Sequence, residues 1–149
     1  MTEVLFYHLE HQTLERALPA LVERSLERNW RAVIQVGSEE RVEALDTLLW
    51  TYREESFLPH GTRRDGNPAQ QPVFLTSSEE NPNSATVRFL VDGAEVTDFT
   101  SYARIVYLFD GRDGSAVENA RQQWKRVKEA GCEVTYWQQS AEGRWQKKA

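Results

Sequence analysis

The histidines are the side chains of this 149-residue chain best suited to moving protons near neutral pH. His8 and His11 lie close to the end of a predicted strand, and Asp110 ends another, so all three could line a strand-end crevice. None of the histidines, His60 included, belongs to a serine or cysteine nucleophile motif, and an acyl-transfer triad is not indicated. Ordinary surface or capping histidines are more common in proteins than catalytic ones, so a structural role is favoured for these residues. A small nucleotide-binding enzyme using His8, His11 and Asp110 is the alternative.

Loops that could hold a phosphate are scarce. The turn after the first predicted strand, residues 10–13, has no glycine, and no lysine-containing phosphate loop occurs. Residues 111–114, Gly-Arg-Asp-Gly, precede the last predicted helix and could bind an anion at its N-terminus. Asp110 and Asp113 would repel that anion, so an ordinary turn is favoured and no cofactor is expected.

The last predicted helix carries a basic stripe beside an aromatic side chain. At about 100° per residue, Val117 and Trp124 fall on its apolar side, while Arg121, Lys125 and Lys128 lie alongside. A solvated helix face explains such a stripe equally well. The alternative is a groove for an acidic peptide, in which the cations attract the peptide and the aromatic wall accepts an apolar side chain.

Large apolar side chains also gather where a predicted helix ends in a proline-restricted turn. Trp50, Phe57, Leu58 and Pro59 lie together there, followed by His60. Aromatic groups in such a loop either cover the core or anchor a partner. Covering the core is slightly favoured, and self-association through this surface is a further possibility.

The elements that must position these residues alternate between strand and helix. This order predicts a three-layer α/β fold with a mostly parallel central sheet and helices on both faces, Rossmann-like but without a nucleotide fingerprint. Pro19 either kinks the first turn of the first helix or begins its main part. A short helical turn is predicted at residues 98–102, and residues 144–149 are expected to fray. Strands are predicted near residues 4–9, 31–37, 73–76, 86–91, 103–109 and 133–137, and helices near 14–26, 39–50 and 115–130.

Composition restricts the function further. The length fits one domain over residues 1–149, and a net charge of −5 argues against coating nucleic acid, so any anion must meet a local basic patch. The one cysteine, Cys132, cannot form an internal disulfide. No apolar run approaches the ~20 residues of a membrane span. A cytoplasmic protein without membrane contact is expected.

Several segments resemble the chi subunit of the bacterial DNA polymerase III holoenzyme. The most specific is Trp50 followed by the Ser-Phe-Leu-Pro-His run at residues 56–60. Shorter likenesses support it over the whole chain: Phe-Tyr at 6–7, Arg-Asn-Trp at 28–30, Pro-Val at 72–73, Thr-Asp-Phe at 97–99 and the helix at 121–131. The resemblance implies an accessory subunit without catalysis that connects the clamp loader to single-stranded DNA-binding protein, and touches DNA only indirectly.

The resemblance also implies two binding sites. The acidic C-terminal tail of single-stranded DNA-binding protein, which ends in an apolar aromatic residue, would bind at Arg121, Trp124 and Lys125, with Phe109 as a further wall. Relatives carry a lysine one turn earlier, where this chain has Val117, and Lys128 is expected to compensate. The psi subunit or a helicase-like partner would bind at Trp50, Phe57, Leu58, Pro59 and His60.

Overall fold

A parallel sheet forms the centre of the molecule. The computed structural model describes residues 2–51, 59–142 and 144–149, with only the backbone described at residues 50 and 51. These residues form eight strands in the order β3-β4-β2-β5-β6-β1-β7-β8, and β8 alone among them is antiparallel to its neighbour. The strands are β1 Glu3–Leu9, β2 Ala32–Gln35, β3 Gly61–Thr62, β4 Val73–Thr76, β5 Val87–Leu90, β6 Arg104–Asp110, β7 Glu133–Gln139 and β8 Trp145–Lys147.

Helices cover both faces of this sheet, which confirms the predicted three-layer α/β fold. The longer helices are α1 (Leu14–Glu27), α2 (Glu39–Thr51) and α3 (Gly114–Glu129). Helices α1 and α2 pack on one face around Leu18, Leu45 and Leu49, and α3 packs on the other. Each of these leucines is almost fully buried, so the apolar stripes read from the sequence do form the core.

The connections explain how the two faces arise. From β1 the chain runs through α1 to β2 on one side of the sheet, whereas from β6 it runs through α3 to β7 on the other. The adjacent strands β1 and β6 therefore end where the direction of winding reverses. In open α/β sheets this reversal leaves a crevice beyond the strand ends.

Some local expectations are corrected. Helix α1 begins at Leu14, so Pro19 lies within its second turn and does not start the main helix. Residues 98–102 form a loop with bends at 100 and 101 instead of a helical turn, because the Asp98 carboxylate accepts hydrogen bonds from the Thr100 N–H and hydroxyl and from the Ser101 hydroxyl. These local bonds compete with helical ones.

The C-terminal segment is ordered, contrary to the expected fraying. Strand β8 pairs with β7 along its length, with Trp145 opposite Gln139 and Lys147 opposite Trp137. The Trp145 ring packs edge-on against Tyr7 at 4.6 Å between ring centres. This apolar contact, together with the backbone pairing, fixes a segment that is polar in composition.

Candidate functional site

A groove of about 600 Å³ runs beside α3, and it brings together the aromatic and basic residues predicted for a peptide site. Helix α3 supplies one wall, and β6, β1 and β7 supply the floor. Among the described residues its lining consists of Phe6, His8, Phe109, Val117, Glu118, Ala120, Arg121, Gln122, Trp124, Lys125, Tyr136 and Ala149.

The start of α3 is fixed by its own sequence. The Asp113 carboxylate accepts hydrogen bonds from the backbone N–H groups of Ser115 and Ala116, at 2.9 and 3.4 Å. This cap satisfies donors that would otherwise face an anion at the helix N-terminus. The phosphate site considered for residues 111–114 is therefore already filled by the protein's own carboxylate.

Trp124 forms the aromatic wall of the groove. Its ring lies 5.4 Å from the ring centre of Phe6 and 6.1 Å from that of Tyr136, with steep interplanar angles of 60° and 79°. Edge-to-face contacts of this kind favour a fixed ring orientation. Trp124 is half-buried, so one part of the indole joins the core and another remains open to the groove.

The floor of the groove comes from strands that are distant in sequence. Phe109 lies opposite His8 in the β1–β6 register, with 5.0 Å between the ring centres. The His8 ring also makes a short hydrogen bond through Nδ1 with the Tyr136 hydroxyl of β7. Burial raises the pKa of Tyr136, so its hydroxyl stays protonated. Sequence reasoning missed Phe6, His8 and Tyr136 as groove residues.

Exposed cations line the rim above these rings. Arg121 and Lys125 are both exposed, and within the described part of the chain the carboxylate paired with Arg121 is that of Glu118, at 4.0 Å. Pairs this exposed and this long contribute little, so the Arg121 guanidinium is available to another anion. The predicted cation Lys128 lies one turn further along, with Nζ 5.3 Å from the centre of the Trp124 ring. Lys128 therefore makes a cation–π contact with the indole but is not part of the groove lining.

A second cavity, of about 640 Å³, occupies the crevice at the winding reversal. Its lining includes four carboxylates, of Glu15, Asp92, Asp110 and Asp113, against the guanidinium groups of Arg41 and Arg112. Arg41 pairs with Asp92 at 2.8 Å and with Glu15 at 3.6 Å, and Arg112 pairs with Asp110 at 3.3 Å. The excess of acidic groups makes this crevice a poor site for a phosphate.

The residues of the alternative enzyme are not assembled there. His8 lines the groove under α3, and His11 is exposed next to Glu10. The backbone N–H of Arg112 is the main cause that lowers the pKa of Asp110, which keeps this carboxylate ionised and makes it a weak base. His8 and His11 both lie near Glu10, at 3.4 and 3.9 Å, and of the three residues Asp110 alone lines the strand-end crevice.

The aromatic cluster at residues 50–60 is described only in part. The side chain of Trp50, as well as Phe57 and Leu58, lies outside the described residues. Pro59 is half-buried, and the His60 side chain is fully buried, with Nε2 3.0 Å from Asp46 Oδ1 on α2. His60 therefore ties the end of this segment to α2 from the inside.

Fold and groove together define a Rossmann-like α/β protein with an aromatic groove beside α3 and exposed cations, Arg121 and Lys125, on its rim. The family model described as DNA polymerase III chi subunit, HolC, matches residues 1–135, and the chain belongs to this family. None of the described helices is long and apolar enough to cross a membrane.

Two relatives carry the same description. The probable DNA polymerase III subunit chi of Rickettsia prowazekii (strain Madrid E) is 28% identical over 109 residues, which are 73% of this chain and 66% of the relative. The DNA polymerase III subunit chi of Escherichia coli (strain K12) is 25% identical over 138 residues, 88% of this chain and 94% of the relative.

Proposed function

We propose that this chi-family chain is a non-catalytic adaptor that links the clamp loader of DNA polymerase III to single-stranded DNA-binding protein. The groove beside α3 receives that protein's acidic C-terminal tail. The terminal apolar side chain enters between Trp124 and Phe109, and the carboxylates meet Arg121 and Lys125. The adaptor touches DNA only through this partner.

The juxtaposition of exposed cations and half-buried rings carries the proposal. The molecule has a net charge of −5, so its overall charge does not attract an acidic peptide and a local group of cations must do so. Arg121 has a guanidinium fork suited to a carboxylate and only a distant partner in Glu118. Aromatic walls beneath such a rim select a peptide that is both acidic and apolar.

A second surface, at residues 50–60, completes the adaptor. Trp50, Phe57, Leu58 and Pro59 contact the psi subunit or a helicase-like partner. His60, also expected at this interface, has its side chain buried against Asp46 and is not open to a partner. The support is the pairing of His60 with Asp46, which joins this segment to α2 and hence to the sheet. His60 contacts α2 through Asp46, whereas the groove lies beside α3, so the proposal gives the two partners different helices of the fold.

The direct test is binding of a fluorescent synthetic tail peptide to purified wild type, Arg121→Ala and Trp124→Ala. Each substitution is expected to weaken binding by about tenfold or more, since a bound charge or aromatic anchor is worth about 1.5–3 kcal/mol. Arg24→Ala, which removes an exposed guanidinium on α1, is the matched control and should bind normally. Unchanged affinity in both groove variants would refute the site.

A further inference from the structure

The C-terminal strand adds a wall to the groove that the family description does not cover. The family model matches residues 1–135, whereas β8 and the residues after it lie beyond that range. The backbone of β8 pairs with β7, and the Trp145 side chain packs against the Tyr7 ring on one face of the sheet. Ala149, two residues after β8, lines the groove.

A β-bulge opposite Tyr136 determines the direction of the side chains that follow β8. The backbone N–H groups of Lys148 and Ala149 both donate to the Tyr136 carbonyl, at 2.7 and 3.4 Å, and the Tyr136 N–H donates to the Ala149 carbonyl at 3.2 Å. Two residues thus oppose one, which is the arrangement that redirects side chains at a sheet edge. Lys148 therefore shares the face of Tyr136, whose ring is part of the groove.

The neighbouring lysine lies on the other face. Lys147 is the partner of Trp137, and the Trp137 ring stacks on Tyr7 at 6.1 Å on the side of the sheet covered by α1. Directly paired residues project from the same face of a sheet, and successive residues from opposite faces. Lys147 and Lys148 are thus both exposed, equal in charge and adjacent in sequence, but they project from opposite faces of the sheet.

We propose that Lys148, carried by β8, is a further cation of the α3 groove and binds an acidic side chain of the peptide from the wall opposite Arg121 and Lys125. This inference rests on the proposed function. It assigns the acidic part of the ligand to a path between two cationic walls. Among the described residues of the groove lining, Glu118 is the acidic one. Glu10 lies next to the lining residue His8, at 3.4 Å, and accepts a hydrogen bond from Gln138 at 2.8 Å.

The experiment compares Lys148→Ala with Lys147→Ala. Fluorescence anisotropy at low salt would use a synthetic peptide of several aspartates followed by proline and a C-terminal phenylalanine. Lys148→Ala is expected to weaken binding about two- to five-fold, the usual range for one exposed charge pair, and Lys147→Ala to leave it unchanged. Both side chains are exposed, so thermal melts should agree with wild type. With asparagines in place of the aspartates, Lys148→Ala and wild type should bind equally.

The outcomes separate this inference from the proposed function. If Arg121→Ala weakens binding while Lys148→Ala behaves like Lys147→Ala, the adaptor site stands and the role of Lys148 is refuted. Tighter binding by Lys148→Ala would refute it as well, because the segment would then obstruct the groove. If wild type does not bind the peptide at all, the proposed function fails and the inference fails with it.

Discussion

The imidazole of His8 on β1 is hydrogen-bonded through Nδ1 to the hydroxyl of Tyr136 on β7. The two side chains lie on adjacent parallel strands, on the face that α3 covers. Phe109 packs against both rings, at 5.0 Å from His8 and 6.4 Å from Tyr136. The groove floor is therefore a connected polar and aromatic unit, and a change in one member should be felt by the others.

Removing the hydroxyl tests this unit. Tyr136→Phe keeps the ring and deletes the partner of His8 Nδ1, so we expect the free energy of unfolding to fall by about 1 kcal/mol. Chemical denaturation with urea measures this, and the NMR shifts of the His8 ring should change with it. Tyr102→Phe also removes a hydroxyl, one that bonds Arg88 on β5, and should leave the His8 shifts unaltered. Shifts of His8 unaffected by Tyr136→Phe would contradict the hydrogen bond.

Gly111 makes room for the His8 ring. A Cβ built at this position would lie only 1.7 Å from His8 Nε2, so Gly111→Ala must displace the imidazole. We expect a loss of stability of about 1–3 kcal/mol, as for other overpacked sites, together with weaker peptide binding. Gly114→Ala is the matched control, because a Cβ there meets nothing within 4 Å and alanine favours the first turn of α3. If the two variants have the same free energy of unfolding, the His8 ring moves aside without loss of stability and the prediction is wrong.

Arg88 is a fully buried cation that ties a loop to the sheet. Its guanidinium donates to the Gln35 side chain, to the carbonyls of Ser78 and Glu80, and to the Tyr102 hydroxyl. Arg88→Met should cost at least about 3 kcal/mol, because several buried acceptors lose their donor at about 1–3 kcal/mol each. Urea denaturation should show this loss, whereas Arg16→Met, at an exposed position of α1, should change stability by under about 0.5 kcal/mol.

Asp98 should titrate at unusually low pH. Hydrogen bonds from the Ser101 hydroxyl first, and then from the hydroxyl and backbone of Thr100, lower the pKa of its carboxyl to about 2. Because the folded pKa lies below the unfolded one, the carboxylate contributes stability above about pH 4, and the contribution is lost as the pH falls toward 2. Carboxyl NMR titration measures this pKa. Ser101→Ala should raise it, and Ser84→Ala, remote from Asp98 in the chain, should not.

Much of the site on α3 could be predicted because it depends on one helix. Spacing at 100° per residue correctly placed Val117, Arg121 and Trp124 along one wall. The floor could not be found in this way. Phe6, Phe109 and Tyr136 come together only through the order β6-β1-β7, and periodicity within a segment does not give the order of strands.

The same limit applies to the strands: those with a local apolar pattern could be predicted, and those fixed only by distant pairing could not. Buried strands such as β2 and β6 are almost continuously apolar and were predicted within a few residues. Strand β3, with two residues, and β8, with Trp-Gln-Lys, have no such pattern, since their pairing depends on distant neighbours. At Asp98 a side chain replaced the expected helical hydrogen bonds, a choice that propensity does not reveal.

The antiparallel pairing of the last strand has a consequence for solubility. Without β8, the seven-residue strand β7 would be an exposed edge of the sheet. Its unpaired N–H and C=O groups could then pair with a strand of a neighbouring molecule and start aggregation. The last strand and the two residues after it cover the part of this edge from Tyr136 to Gln139, and the consecutive lysines Lys147 and Lys148 discourage any further strand from adding. Loss of this short segment would therefore expose the molecule to oligomerisation through the sheet, and it would also uncover Tyr7, against which the Trp145 ring packs.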